Sequence, residues 1–155
     1  MQIVSRWVWP NLGFDLLVTK RVIDLFERYK QSQGMKESGG QLFVNLSSPE
    51  GLVLSDATPP NKNDRATPTS LLLAPTRCRE EIKELNCQGL FLVGYWHTHS
   101  EDDPQLSSQD LRSFQKFKDD NCEVLPYPLA VIVGQSKIRV WSMRECPFPG
   151  DIQPV

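Results

Sequence analysis

Histidine and long apolar runs are both nearly missing from this sequence. Only 2 of its 155 residues are histidine, so imidazole chemistry is confined to one or two places. No apolar stretch approaches the roughly 20 residues needed to span a bilayer, and the first residues lack the long apolar core of a signal peptide. Nothing indicates a membrane or export, and we therefore expect a cytoplasmic protein.

Cysteine is scarce as well, and its spacing does not match the common structural zinc motifs. The four cysteines are Cys78, Cys87, Cys122 and Cys146, and no two of them form a C-x-x-C pair. An even number would suit disulfide bonds in a secreted protein, but free, reduced thiols are expected in the cytoplasm. A cysteine acting as a fourth ligand would close a zinc site to substrate, and we expect all four to be dispensable.

The sequence also lacks an excess of charge of either sign. Lysine and arginine number 17 against 19 acidic residues, which gives a formal net charge of −2 and a pI near 5.7. This balance argues against a general nucleic-acid binder. The length and the 39% hydrophobic content suit one domain over residues 1–155. The oligomeric state is not fixed by the sequence, and a monomer is compatible with it.

Apolar periodicity predicts a mixed sheet with helices packed on it. The order of predicted elements is β-α-β-β-β-α-β-α-β-β, which is typical of an α/β (α+β) domain. The first predicted helix covers about 17–33. The proline-rich, polar segment 57–70 predicts a mobile surface loop, either a tolerated insertion or a flap that contacts substrate. The tail beyond Met143 contains Pro147, Pro149 and Pro154, and it is predicted to be irregular.

Both histidines follow an apolar run, 90–96, that predicts a buried strand. Positions two apart on a strand face the same way, so His97 and His99 are expected to point to one side. Asp110 follows in the first turn of a predicted helix, where the helix dipole favours an ionised carboxylate. Two imidazoles and a carboxylate are three protein ligands for Zn²⁺, which leaves the fourth tetrahedral position open for water. One catalytic zinc per chain is therefore expected.

Each half of this pattern also has a simpler interpretation. An isolated His-x-His on a strand is often incidental, and Ser107-x-x-Asp110 has the form of a capping box with Ser107 as the N-cap. At average residue frequencies, the joint pattern arises by chance in about one of several thousand chains of this length. Together, the two halves favour a metal site.

The same residues resemble a known family signature. His97-x-His99, seven residues, then Ser107-x-x-Asp110 is similar to the motif of the JAMM metallopeptidases, the catalytic members of the MPN (JAB) domain family. That family has a glutamate far upstream in a segment Glu-x-x-Gly-x-Leu, which Glu37 and the five residues after it match. The resemblance covers residues from about 21 to 143. It implies zinc ligands at His97, His99 and Asp110, a general base at Glu37, and at Ser107 a hydroxyl that stabilises the oxyanion.

Two positions depart from the family pattern. Ser100 stands where proline commonly follows the second histidine, and Val44 stands where a glycine commonly closes the glutamate-containing strand. Neither position is a ligand. The longer second insertion of linkage-specific eukaryotic members is absent, and 118–127 is the one candidate segment for it.

The resemblance also implies a fold, an activity and a class of partner. The fold is a three-layer α-β-α sandwich with a mixed curved sheet, the cytidine deaminase-like MPN/JAB domain. The activity is that of a zinc-dependent peptidase or isopeptidase that cuts a protein conjugate after the C-terminal tail of one partner. The chain looks like small deconjugating peptidases of bacterial anti-phage operons, in which that partner is a ubiquitin-like protein or a cyclic-nucleotide synthase (CBASS).

Three alternatives stay open from the sequence. One is a peptidase that processes sulfur carriers, and another is an MPN scaffold that has lost catalysis. The third is nucleic-acid association, which the acidic run Glu101-Asp102-Asp103 disfavours because it would repel phosphate. We expect a protein conjugate as partner, with neither nucleic acid nor membrane.

Overall fold

The centre of the fold is a mixed sheet. The computed structural model describes residues 1–121, 125 and 127–155, and the sheet has nine strands within them. Their order is β10-β9-β8-β7-β3-β4-β2-β1-β11, with β2/β4 and β7/β8 parallel and the other neighbours antiparallel. The strands are β1 (Ile3–Trp9), β2 (Phe14–Thr19), β3 (Gly39–Asn45), β4 (Val53–Ala57), β5 (Arg65–Thr67), β6 (Ser70–Leu72), β7 (Leu90–Thr98), β8 (Leu129–Val133), β9 (Ile138–Met143), β10 (Pro147–Pro149) and β11 (Asp151–Pro154), and the helices are α1 (Lys20–Arg28), α2 (Pro75–Asn86) and α3 (Ser108–Asn121).

Helices α1 and α3 cover opposite faces of this sheet. Strand β8 is buried throughout, and its residues alternate between the two hydrophobic cores. Val131 lies in the core that contains Phe26 of α1, whereas Ile132 lies in the core that contains Phe114 of α3. The predicted fold class, a three-layer sandwich around a mixed sheet, is therefore confirmed.

The first helix is shorter than predicted at both ends, and its expected start belongs to a strand. Residues 14–19 form β2, in which Leu16 and Val18 are buried and Asp15 is exposed. This alternation is the period of a strand, and it was hidden within the longer helical pattern. Helix α1 begins only after Thr19, whose side chain accepts a hydrogen bond from the Val22 N–H (3.4 Å).

The C-terminal tail was wrongly predicted to be irregular. It forms the two edge strands of the sheet, β10 beside β9 and β11 beside β1. Proline cannot donate to a ladder of hydrogen bonds, but an edge strand has one side without a partner, so prolines are tolerated there.

Residues 57–70 contain more regular structure than the sequence predicts. Strands β5 and β6 form an antiparallel hairpin in and just after this segment. The Glu37 N–H donates to the Thr67 carbonyl (2.9 Å), which joins the hairpin to the start of β3. The prediction of a surface loop is therefore wrong where β5 and the start of β6 lie, whereas the mobility of the segment stays a prediction.

A buried ion pair fixes the loop before this hairpin. The Arg77 guanidinium of α2 donates to Asp64 (2.9 Å) and to Glu81 (3.0 Å), and both members of the Arg77–Asp64 pair are 5% exposed. The same guanidinium donates to the Gly39 carbonyl (2.8 Å) at the start of β3. One arginine thus holds α2, the loop and the strand that follows Glu37.

Replacing Arg77 is expected to destabilise the protein strongly. Arg77→Leu would leave Asp64 buried without its partner, at a cost of about 3 kcal/mol in the free energy of unfolding. Urea unfolding measures this loss. Arg139→Leu is the matched control, because its partner Asp103 lies at the surface and a smaller loss is expected. Equal losses in the two variants would contradict the account.

The Arg77–Asp64 pair also predicts a pH dependence. Burial alone would raise the pKa of Asp64, but hydrogen bonds from Arg77 and from the Ala74 N–H hold it below its ordinary value of 3.8. The stability that this adds is present above pH 4 or so, and it is lost as the pH falls through the lower folded-state pKa. The difference between wild type and Arg77→Leu should therefore shrink in acid.

Three further expectations concern membrane spans, the cysteines and the second insertion. No helix within residues 1–121 and 127–155 is long and apolar enough to cross a membrane. Cys78, Cys87 and Cys146 are free thiols, as expected. Cys122 lies outside the described residues. So do residues 123, 124 and 126, and the identification of 118–127 as the candidate second insertion therefore stays a prediction.

Candidate metal centre

Strand β7 places both histidines on the face that α3 covers. The Tyr95 ring packs edge-on against Phe114 of α3, with 6.0 Å between ring centroids. His97 comes two residues later, and its ring lies 6.1 Å from that of Tyr95. His99 extends the parallel pairing with β8, because its N–H donates to the Val133 carbonyl (3.0 Å). The two imidazoles therefore lie side by side, as the spacing predicts.

The two imidazoles and the Asp110 carboxylate form a compact triangle of three side-chain groups. The Nε2 atoms of His97 and His99 are 3.2 Å apart. Asp110 turns Oδ1 to His97 (3.1 Å) and Oδ2 to His99 (3.2 Å). Tetrahedral ligands bound to Zn²⁺ at 2.0–2.1 Å lie about 3.3 Å from one another. Both the donor set and its spacing therefore fit a zinc ion.

Asp110 is a capping residue as well as a candidate ligand. Its N–H donates to the Ser107 hydroxyl (3.0 Å), and its Oδ2 accepts from the Ser107 N–H (2.9 Å). This is the reciprocal capping box that the sequence allowed as an alternative. The two interpretations are compatible, because the cap fixes the carboxylate in the orientation that meets both imidazoles.

Asp110 and His99 each stabilise the charged form of the other. Burial alone would raise the pKa of Asp110, but hydrogen bonds from His97 and His99 hold it far below its usual range. Burial alone would lower the pKa of His99, but hydrogen bonds to Asp110 and Glu101 raise it to about 9. A metal bound here would take the place of the imidazole proton, so binding would release protons near neutral pH.

Glu101 orients the second imidazole from outside the triangle. Its Oε1 accepts a hydrogen bond from Nδ1 of His99 (2.8 Å). With its proton on Nδ1, the ring presents the lone pair of Nε2 to the triangle. This role was not predicted, because in the sequence Glu101 stands out only as part of an acidic run. Asp103, in the same run, is paired with Arg139 (2.6 Å), so the loop carries less free negative charge than was predicted.

Glu37 lies beside the triangle and carries a perturbed carboxyl group. One of its oxygens lies within 4.8 Å of a ring nitrogen of His97 and of His99, so it is also a possible ligand by distance. The side chain is 6% exposed. Burial raises its pKa to about 7, although the charge of His99 opposes the shift. A carboxyl group that titrates near neutrality beside a metal site has the properties of a general base.

Three cavities border Glu37. It lines a cavity of about 230 Å³ beside His99 and Ser107, and another of about 570 Å³ beside Lys36 and Lys62. A smaller cavity lies between the hairpin and α3, lined by residues that include Leu71 and Asp110. Glu37 thus sits where a chain passing between the hairpin and α3 would meet the triangle.

All five residues predicted from the sequence come together here. His97, His99 and Asp110 form the triangle, Ser107 caps the helix that carries Asp110, and Glu37 lies beside the two imidazoles. Their roles in metal binding and catalysis stay predictions. The two departures from the family pattern leave this arrangement intact, since Val44 is a buried core residue of β3 and Ser100 lies after the ligand strand.

Comparison with solved structures supports the fold. The solution structure of protein DSY2949 from Desulfitobacterium hafniense is similar, with a TM-score of 0.61 over 85% of this chain and 87% of that chain. The two sequences are 15% identical, so this likeness concerns the fold alone. Comparison with curated proteins gives no match.

A family assignment follows from the sequence match together with the site. A family model described as "Prokaryotic homologs of the JAB domain" matches residues 19–144, which include all five site residues and most of the sheet. This chain therefore belongs to the prokaryotic JAB-domain family.

Proposed function

We propose that this protein is a zinc-dependent peptidase or isopeptidase that releases one protein from a conjugate with another. The observation that carries the proposal is the triangle of His97, His99 and Asp110, with mutual distances of 3.1 to 3.2 Å and Glu37 beside it. If the Asp110 carboxylate binds through one oxygen, such a zinc site has three protein ligands and one position left for a reacting group. A scaffold that has lost catalysis would have no need of the buried, proton-accepting carboxyl group beside it.

Each group of the site would have a separate role in hydrolysis. Zn²⁺ held by the triangle would supply Lewis acidity, polarising a carbonyl and making water a better nucleophile near neutral pH. Glu37 would accept the proton of the attacking water and then pass it to the departing amine. Its pKa of about 7 in the metal-free protein suits both directions of transfer, and a nearby cation would lower it. Glu101 would hold the His99 ring in place throughout.

The Ser107 hydroxyl can donate a hydrogen bond as well as accept the one that caps the helix. Its hydroxyl oxygen accepts from the Asp110 N–H, so the hydroxyl proton is free to be donated to an oxyanion. Ser107→Ala is expected to slow turnover by about 10²-fold or less, because one oxyanion donor is lost. It should also cost about 1 kcal/mol of stability through the lost cap. Steady-state kinetics and urea unfolding measure the two effects.

Ser108→Ala is the matched control for the Ser107 variant. Ser108 is the exposed neighbour at the start of α3, so its loss should leave both the turnover and the cap unchanged. A Ser107 variant that turns over as fast as the Ser108 variant would remove Ser107 from the mechanism and leave it with capping alone.

The substrate that we propose is an extended C-terminal tail joined to an amine of a second protein. Strand β6 pairs only with β5, so one of its edges has no partner strand among the described residues. Ser70 and Leu71 of β6 line the cavity that contains Glu37 and His97. An extended peptide binds such an edge through main-chain hydrogen bonds, which would lead the tail into the site. We propose a ubiquitin-like protein or a cyclic-nucleotide synthase as the protein that carries the tail.

Mass spectrometry of candidate conjugates tests this function. Fusions and lysine conjugates to the C-termini of ubiquitin-like proteins, cyclic-nucleotide synthases and sulfur carriers are incubated with the enzyme, with and without chelator. Cleavage just after the last tail residue, prevented by chelator, is expected. Cleavage confined to sulfur-carrier tails would favour the alternative of sulfur-carrier processing. If every conjugate stays intact with zinc bound, a non-catalytic scaffold becomes the better interpretation.

A further inference from the structure

A buried amide connects the segments that surround the candidate site. Gln31, in the connection between α1 and β3, is 1% exposed. Its Nε2 donates to the carbonyls of Met35 (2.9 Å) and Pro68 (3.0 Å), and its Oε1 accepts from the Thr98 hydroxyl (2.9 Å). The Gln135 amide donates to the Gln31 backbone carbonyl. One side chain thus joins the segment before Glu37, the turn of the β5–β6 hairpin and the metal-site strand.

Thr98 lies between the two candidate histidine ligands and faces away from them. Because side chains alternate along a strand, His97 points toward α3 whereas Thr98 points toward Gln31. The Thr98 hydroxyl is fully buried, and it also accepts a hydrogen bond from the Ser38 N–H (2.9 Å). The Thr98 N–H donates back to the Ser38 carbonyl (2.9 Å). Ser38 is therefore clamped to the histidine strand by two hydrogen bonds, one of which depends on a side chain.

This clamp acts on the residue next to Glu37. Among the described residues, the structure shows no hydrogen bond to the Glu37 carboxylate, so its place depends on the backbone that carries it. That backbone is held by the Glu37 N–H on the Thr67 carbonyl and by Ser38 on Thr98. Gln31 reaches both supports, since it binds Thr98 directly and Pro68 next to Thr67.

We propose that Gln31 and Thr98 are positioning residues that fix Glu37 at its working distance from the imidazoles of His97 and His99. The effect of Gln31 and Thr98 on catalysis rests on the proposed function, whereas their effect on the backbone next to Glu37 does not. Neither residue faces the reacting atoms. Their effect reaches the reaction through the Ser38 backbone, and a displacement of about 1 Å at a catalytic group can cost about 10²-fold in rate.

The test compares single hydroxyl deletions at two threonines. Thr98→Val removes the hydroxyl that joins Ser38 to Gln31, whereas Thr98→Ser keeps it. Thr19→Val is the matched control, because the Thr19 hydroxyl is also buried and bonded but serves the start of α1, away from the site. Gln31→Met removes the amide while keeping a side chain of similar length.

Thr98→Val and Gln31→Met are expected to lower kcat by about tenfold to 10²-fold with KM and zinc content little changed. Thr98→Ser should recover most of the rate, and Thr19→Val should lose stability without losing kcat. Because Ser38 loses its acceptor, its amide hydrogen should exchange about tenfold faster in Thr98→Val, as measured by NMR. Equal kcat in Thr98→Val and Thr19→Val, or no rescue by serine, would overturn the proposal.

Amide exchange separates failure of this inference from failure of the proposed function. If the wild-type protein cleaves nothing, the proposed function fails. The positioning role is then judged by exchange at Glu37 and Ser38. Faster exchange in Thr98→Val, but not in Thr98→Ser or Thr19→Val, supports the clamp. Unchanged exchange in Thr98→Val shows that the hydroxyl does not hold this backbone, and the inference is overturned.

Discussion

Glu37→Gln is expected to keep its zinc and to lose at least 10²-fold in turnover. The substitution preserves the shape of the side chain but removes the carboxylate that would accept and return the proton. His97, His99 and Asp110 contact one another without help from Glu37, so the ligand triangle should survive. Burial of an uncharged amide in place of a carboxyl group with a pKa of about 7 should also leave the fold intact. Elemental analysis and conjugate cleavage measure the two quantities on one preparation.

Glu101→Gln is the matched control for this variant, because it makes the same change at a carboxylate that only orients His99. It should weaken metal binding modestly, by about 10-fold to 100-fold, and retain turnover once saturated with zinc. If Glu37→Gln instead loses its zinc, Glu37 is a ligand, as its distance to the imidazoles also permits. A Glu37 variant with both zinc and normal turnover would refute the mechanism.

His97→Ala and His99→Ala are each expected to lose most of the metal and nearly all activity. Each substitution removes one of three ligand atoms and leaves two, which are too few for the tetrahedral site with a single open position. Gln109→Ala is a suitable control. Gln109 lies beside Asp110 and lines the cavity that His97 and Asp110 also line, but it does not belong to the triangle. Elemental analysis of protein purified without added metal measures the outcome. Zinc content near that of the control in either histidine variant would contradict the ligand assignment.

The sequence predicts best those site residues that lie close to one another along the chain. His97 lies near the end of β7 and His99 directly after it, two positions on, whereas Ser107 and Asp110 lie three apart at the start of a helix. Each spacing has one geometric consequence, and the structure shows both. Glu37 was identified only through the resemblance, because a lone glutamate near two glycines has no geometric signature of its own.

The positions that were missed depend on long-range pairing. Gln31 meets Thr98 across 67 positions and Pro68 across 37, so its local sequence showed only a polar residue near the end of a helix. Strand β2 was hidden because its apolar residues extend the helical pattern of α1, and tertiary pairing with β1 and β4 decided its conformation. The tail strands were missed because proline usually indicates a break, and only their edge position makes proline tolerable.

The close approach of β3 to its neighbour is also explained only by the structure. A side chain at Gly40 would place its Cβ 2.0 Å from the Thr58 carbonyl oxygen, so only glycine fits there. Gly39 is similarly confined by the Trp96 carbonyl oxygen at 2.4 Å. Of the two, only Gly40 matches the glycine of the family motif, because Gly39 stands at one of its variable positions. The physical reason for both glycines is that the start of β3 is confined from two directions, by the Thr58 carbonyl just after β4 and by β7, the strand that carries His97.

A zinc titration of metal-stripped wild-type protein, followed by conjugate cleavage at each step, tests the central claim most directly. No cleavage is expected at the start, and the rate should rise linearly with added zinc. The rise should end near one equivalent per chain, where calorimetry should show the same endpoint. Cleavage that persists in the stripped protein, or a site that fills with zinc while a proven substrate stays uncut, would contradict it.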